Sequence, residues 1–132
     1  MKSTKKKVIP KSTKIIEEAK NKIGSPIKQG AIGPFEFCNS GFSHYCLYSA
    51  GIKIPESLKE QSEGGKEVDT PSEGDLLFFD KIGKGVITDV GICIGEGKMI
   101  IAPENGKCVK EAEYVNNTYW TPKYKFAKRY WS

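Results

Sequence analysis

No apolar run in this chain approaches the roughly 18–20 residues of a membrane span, so no transmembrane segment is expected. The N-terminus has lysines with only Val8 and Ile9 behind them, too little for the apolar core of a secretory signal. A cytoplasmic location is therefore the default expectation, and a secreted or cell-wall location applies if an export signal has been removed. The cysteines, Cys38, Cys46, Cys93 and Cys108, form no C-x-x-C pair, so neither a metal site nor a cofactor is expected. In the absence of an export signal no disulfide is proposed, and Cys46 and Cys93 read as small core residues. Zinc-knuckle spacing and an aromatic-basic stripe are both missing, and with them the usual marks of nucleic-acid binding. There is no internal repeat, and no low-complexity stretch beyond a lysine-rich start.

What remains is one domain's worth of chain: 132 residues, 38% of them hydrophobic, enough to bury a core without staples. The charge is uneven. Of the 21 basic residues, six lysines fall within residues 1–14, where there are no acids, leaving 15 against 16 acidic residues. The net +5 thus belongs to a tail rather than to a folded face. Residues 1–12 are expected to be a flexible lysine-rich tail and 13–132 the folded domain.

Helical signals come first. Lys11 to Ile23 reads as a helix, with Ser12 or Thr13 as cap, an apolar stripe of Ile15, Ile16, Ala19 and Ile23, and Gly24 as stop. Prolines and glycines make residues 25–37 an irregular loop. A second helix spans about residues 40–50, capped by Asn39 or Ser40 and ended by Gly51, and a short turn of helix follows at Glu56–Ser62. The second half switches to strands at Asp75–Asp80, Val86–Ile94, Met99–Ala102, Lys107–Glu113 and Lys125–Trp131. Gly95-Glu96-Gly97-Lys98 forms a hairpin turn. Helices followed by a strand meander imply an α+β fold, an antiparallel sheet with helices on one side.

The stretch Phe37-Cys38-Asn39-Ser40-Gly41-Phe42 opens the second helix. A helix start gathers free N–H groups and the positive dipole end, which would lower a cysteine's pKa and make it reactive. Cys38 is there, but the next position holds Asn39.

These residues sit in a pattern that resembles the NlpC-type cell-wall peptidases, small papain-like cysteine enzymes that cut peptide bonds in peptidoglycan stems. Ile15 through Gly24-Ser25-Pro26 resembles the family's first helix and Gly-x-Pro exit. Ser40-Gly41-Phe42, then Tyr45 and Ala50-Gly51-Ile52, resembles the Asp-Cys-Ser-Gly-Phe motif and its helix. Pro71-Ser72-Glu73-Gly74-Asp75-Leu76-Leu77-Phe78-Phe79 resembles the Pro-Gly-Asp-Leu strand. Thr88-Asp89-Val90-Gly91-Ile92 through Met99-Ile100-Ile101-Ala102-Pro103 resembles the Ser-His-Val-Gly-Ile hairpin. The resemblance covers residues 13–131 and implies a papain-like fold with a C-terminal sheet or half-barrel of five to six strands.

Carried over residue by residue, it puts the nucleophile on Asn39, the base on Asp89 and the orienting residue on Ile101, while Ile27 stands where a tyrosine is common. Asn39 has no ionisable proton, Asp89 titrates near about 4 if unperturbed, and Ile101 cannot hydrogen-bond. The expectation is a degenerate enzyme. Its old cleft, with Ile27, Asn39, Ser40, Asp89 and Ile101 as binding residues, would take a peptide-like or peptidoglycan-like ligand or a protein partner. Asn39 is expected to donate to the Asp89 carboxylate, between apolar walls of Ile27 and Ile101.

Two alternatives stand beside it. An active hydrolase could use Cys38 as nucleophile, but the only histidine, His44, lies about 9 Å of helical rise and 240° of rotation away. Or the chain could be a regulatory or inhibitory partner of a related enzyme. The oligomeric state is open.

Overall fold

The computed structural model describes residues 8–104 and 106–132. Most of the expected lysine-rich tail, residues 1–7, lies outside the described residues.

The first helix, α1 (Lys11–Asn21), buries Ile15, Ile16 and Ala19 as the apolar spacing requires. It begins earlier than the expected cap: Pro10 precedes it, no side chain caps it, and Ser12 and Thr13 lie inside the first turn. Proline's fixed φ suits a helix entry, but its ring offers no acceptor, so the free N–H groups of the first turn have no side-chain partner. Ile23 falls beyond the helix end and is half-exposed. Helix α2 (Asn39–Ser49) is buried along Phe42, Ser43, Cys46 and Leu47, and Gly51 follows it with φ 85°, the left-handed stop expected there. A third helix, α3 (Leu58–Glu63), is capped by Ser57, whose hydroxyl accepts from Glu60 N at 3.1 Å.

Six strands follow: β1 (Lys66–Val68), β2 (Leu76–Phe79), β3 (Asp89–Gly95), β4 (Lys98–Ile101), β5 (Lys110–Glu113) and β6 (Tyr124–Arg129). They form one antiparallel sheet in the order β1-β6-β2-β3-β4-β5. β1 was not anticipated, because its three residues carry two charges and no apolar alternation. The β3–β4 turn has successive positive φ at Glu96 (57°) and Gly97 (74°), which matches the twist of a tight hairpin.

Side-chain alternation divides the sheet between two cores. Leu76, Phe78, Val90, Ile92 and Ile100 face α1 and α2. Leu77, Phe79, Cys93, Met99 and Ile101 face the other way, under Tyr114, Trp120 and Tyr124. This second layer explains why β2 is buried at every position rather than at every other one. Asp75 at the mouth of β2 is fully buried and receives two hydrogen bonds from Arg129 on β6, at 2.8 and 2.9 Å.

Candidate functional site

A cleft of about 470 Å³ opens where the N-terminus of α2 meets the start of β3. Cys38, Asn39 and Ser40 form its base, Ile27, Gln29 and Gly30 come from the loop before α2, and Leu58, Thr88 and Glu104 complete the rim. The loop is held against the helix by main-chain bonds, Phe37 N to Pro26 O (3.0 Å) and Cys38 N to Ala31 O (2.7 Å). Gly41 makes this approach possible, because a Cβ there would collide with the Ala31 carbonyl oxygen.

Cys38, not Asn39 or Ser40, is the residue that caps α2. Its backbone is extended (φ −89°, ψ 174°) and its thiol accepts from Gly41 N at 3.2 Å. As the first helical residue, Asn39 turns its carboxamide toward the sheet. Its Oδ1 accepts from Val90 N at 2.7 Å, and its Nδ2 donates to Val90 O at 3.1 Å and to Ala102 O at 2.7 Å. In the register Ile92↔Ile100, the next inward-facing pair would be Val90 and Ala102, where β4 has already ended. The amide bridges the strands where their ladder opens, serving main-chain groups that would otherwise be buried unpaired.

The expected hydrogen bond from Asn39 to Asp89 is therefore not formed. Val90 faces the helices, so Asp89, its neighbour along β3, faces the opposite side. The Asp89 side chain is buried, 3.2 Å from Lys81 Nζ, and receives a long bond from Glu104 N (3.3 Å). Lys81 also pairs with Glu104 Oε1 at 3.1 Å. Burial pushes the Asp89 carboxyl above the usual carboxylate range even though the Lys81 ammonium pulls it down. Burial also acts to lower Lys81, but Asp89 and Glu104 together hold it above the usual lysine range.

Ile101 does not form a wall of the cleft. It is fully buried in the second core, beside Gly91, on the sheet face away from α2. Of the residues expected to bind, Ile27, Asn39 and Ser40 line the cleft, and Ser40 uses its carbonyl to accept from Ser43 Oγ and Gln61 Nε2. His44 lies elsewhere, half-buried and stacked on Tyr48 in a different groove that also includes Ile32, Gly33 and Pro34. Cys46 and Cys93 are buried as expected, and burial raises both thiols, so neither is a ready thiolate.

Gln29, Leu58, Thr88, Glu104 and Lys81 were not anticipated. Thr88 was within reach, because strand alternation places it opposite Asp89. Glu104 and Lys81 carry no local signal, since the pairing of two loops brings them together.

Several known proteins are similar. The NlpC/P60 family description matches residues 24–129. The chain is 38% identical over 100 residues to the γ-D-glutamyl-L-lysine dipeptidyl-peptidase of Bacillus subtilis, covering 74% of this chain and 34% of that protein. It is 38% identical over 94 residues to the probable endopeptidase p60 of Listeria monocytogenes, covering 70% of this chain and 19% of that protein. Against the crystal structure of an NlpC/P60 family protein from Bacillus cereus, the TM-score is 0.84 at 34% identity, covering 92% of this chain and 40% of that one. The NlpC/p60 domain of the peptidoglycan hydrolase SagA superposes with a TM-score of 0.75 at 31% identity, covering 89% of this chain and 97% of that one. The chain thus spans about a third or less of the curated relatives it matches.

Proposed function

Because the chain belongs to the NlpC/P60 family, we propose that it is a non-hydrolysing member that binds, in its open cleft, the kind of peptide its relatives cut. The observation that carries this reading is the commitment of Asn39. All of its carboxamide bonds go to Val90 and Ala102 main chain, and the group holds no proton that a base could remove. The partner position supports it, since Asp89 is ion-paired to Lys81 and faces the other side of the sheet. Ile27, Leu58, Gln29 and Thr88 keep the cleft mixed in polarity, which suits an extended peptide with amide groups to satisfy.

A peptide containing a γ-D-glutamyl-L-lysine bond tests this reading by NMR. Saturable shifts at the amides of Gln29, Ser40 and Thr88, with the peptide intact, support it. Shifts confined to the His44–Tyr48 groove contradict it.

One observation favours a second reading, that of a live hydrolase. Cys38 lines the cleft at the N-terminus of α2, where free main-chain N–H groups gather. That reading lacks a base: the chain's single histidine lines another groove.

A further inference from the structure

The loop before α2 runs on past the cleft and, with the outer side of α2, walls another groove of about 300 Å³. Ile32, Gly33 and Pro34 come from the loop and His44, Tyr45 and Tyr48 from the helix, and the cleft shares none of them. The His44 and Tyr48 rings, one helical turn apart, lie 8° from parallel with their centres 6.3 Å apart. Gly33, at φ 96°, lets the loop press on the helix, since a Cβ there would lie 2.8 Å from the Tyr45 ring. Apolar surface continues outward from the groove: Tyr48 is 64% exposed, Ile32 44%, and Phe35, one residue beyond Pro34, 78%. One such residue alone needs no explanation, but three around one groove mark an interaction surface.

Charge and size select the occupant. No carboxylate, lysine or arginine lines the groove, and Lys22, 5.3 Å from the Tyr45 ring centre, is paired with Glu18 at 3.9 Å. A charged segment would lose hydration here and find no opposite charge. The lining residues are far fewer than the roughly 20–30 a side that join two folded surfaces stably, which argues against a second copy of this chain. On α2 the side-chain hydrogen bonds are made by Asn39, Ser43 and Ser49, leaving the Tyr48 hydroxyl and the His44 imidazole free to donate among the described residues. An uncharged proline-rich segment matches these terms. In the polyproline II form it has no internal hydrogen bonds, so its carbonyls are free to accept, and its prolines bring no N–H to be left unpaired. Its rings pack on aromatic side chains, and its preformed conformation loses little entropy on docking.

We propose that this groove of Ile32, Pro34, His44, Tyr45 and Tyr48 is a docking site for an uncharged, proline-rich segment of a partner protein, bound as a polyproline II helix. The inference goes beyond the peptide cleft and uses none of its lining residues.

Acetyl-decaproline amide, an uncharged polyproline II peptide, is the probe for an NMR titration of the full chain, with an uncharged Gly/Ser peptide of equal length as the comparison. Saturable shifts at the amides of Gly33, His44 and Tyr48 are expected with decaproline and not with the comparison peptide. Tyr48→Ala should weaken decaproline binding about tenfold, a change of about 1.4 kcal/mol. Tyr119→Ala, which removes an exposed ring outside the groove, should bind like the parent. Both side chains are exposed, and unchanged melting temperatures confirm that the variants fold. Absence of saturable shifts with decaproline overturns the proposal. So do equal shifts from the Gly/Ser peptide, Tyr48→Ala binding like the parent, or Tyr119→Ala weakening binding as much as Tyr48→Ala. The readout residues lie outside the peptide cleft, so failure here leaves the peptide reading standing, and the reverse also holds.

Discussion

At position 39 one side chain does the work of a structural clamp. A thiol is a weak donor and a weak acceptor, so Asn39→Cys would leave Val90 N, Val90 O and Ala102 O without good partners. The predicted cost is on the order of 2–3 kcal/mol, read by urea unfolding, with no gain of peptidase activity because no base faces residue 39. Asp89 makes a pH-dependent prediction. Its folded carboxyl lies above its ordinary value because it is buried, so the folded chain holds that proton more tightly than the unfolded one. The resulting stability is full below the unfolded value of about 3.9 and is lost as pH rises through the folded value. Unfolding measured from about pH 3 to 7 should therefore show the parent losing stability relative to Asp89→Asn as pH rises, then a level difference. A parent that gains on the variant over that range would contradict this account. That Asn39 sits at the mouth of α2 and Asp89 at the start of a facing strand was legible in the sequence, since flanking motifs fix the register. Their bonding was not, because it depends on which way each side chain turns out of α2 and β3.

Among the elements, the loop 25–37 and the mouth of α2 depend on each other. Gly41→Ala would drive a methyl group into the Ala31 carbonyl and crowd Cys38 Sγ at 3.0 Å. The loop must then shift, at a predicted cost of about 1–3 kcal/mol, with weaker peptide binding in the cleft it lines; parent-like melting and titration curves would contradict this. Helix spacing, the Gly51 stop and the β3–β4 turn were all readable from local chemistry. Element ends were less so. Pro10 took the place of a hydroxyl cap, Cys38 capped α2 in place of an amide or hydroxyl, and Val86 to Thr88 stayed outside β3. The short strand β1 carries no apolar alternation and gains its order from pairing with β6.

For the molecule as a whole, two cores on one sheet give the site its asymmetry. The helix-side core fixes the cleft at the mouth of α2, and the other layer takes Ile101 and Asp89 out of it. The α+β class follows from element order alone, but the second layer does not, because Tyr114, Trp120 and Tyr124 reach it from a segment with little strand pattern. Asp75 and Arg129 tie β2 to β6, the pair that carries both layers. Asp75→Ala removes that clamp and the acceptor for Ser72 N, and should cost about 2–3 kcal/mol by thermal or urea unfolding, because part-exposed Arg129 can turn to water. The most direct test of the central claim is turnover of the γ-D-glutamyl-L-lysine peptide, followed by mass spectrometry for the parent chain and for Cys38→Ala. The account predicts that the peptide stays whole with both; cleavage by the parent that disappears in Cys38→Ala would contradict it.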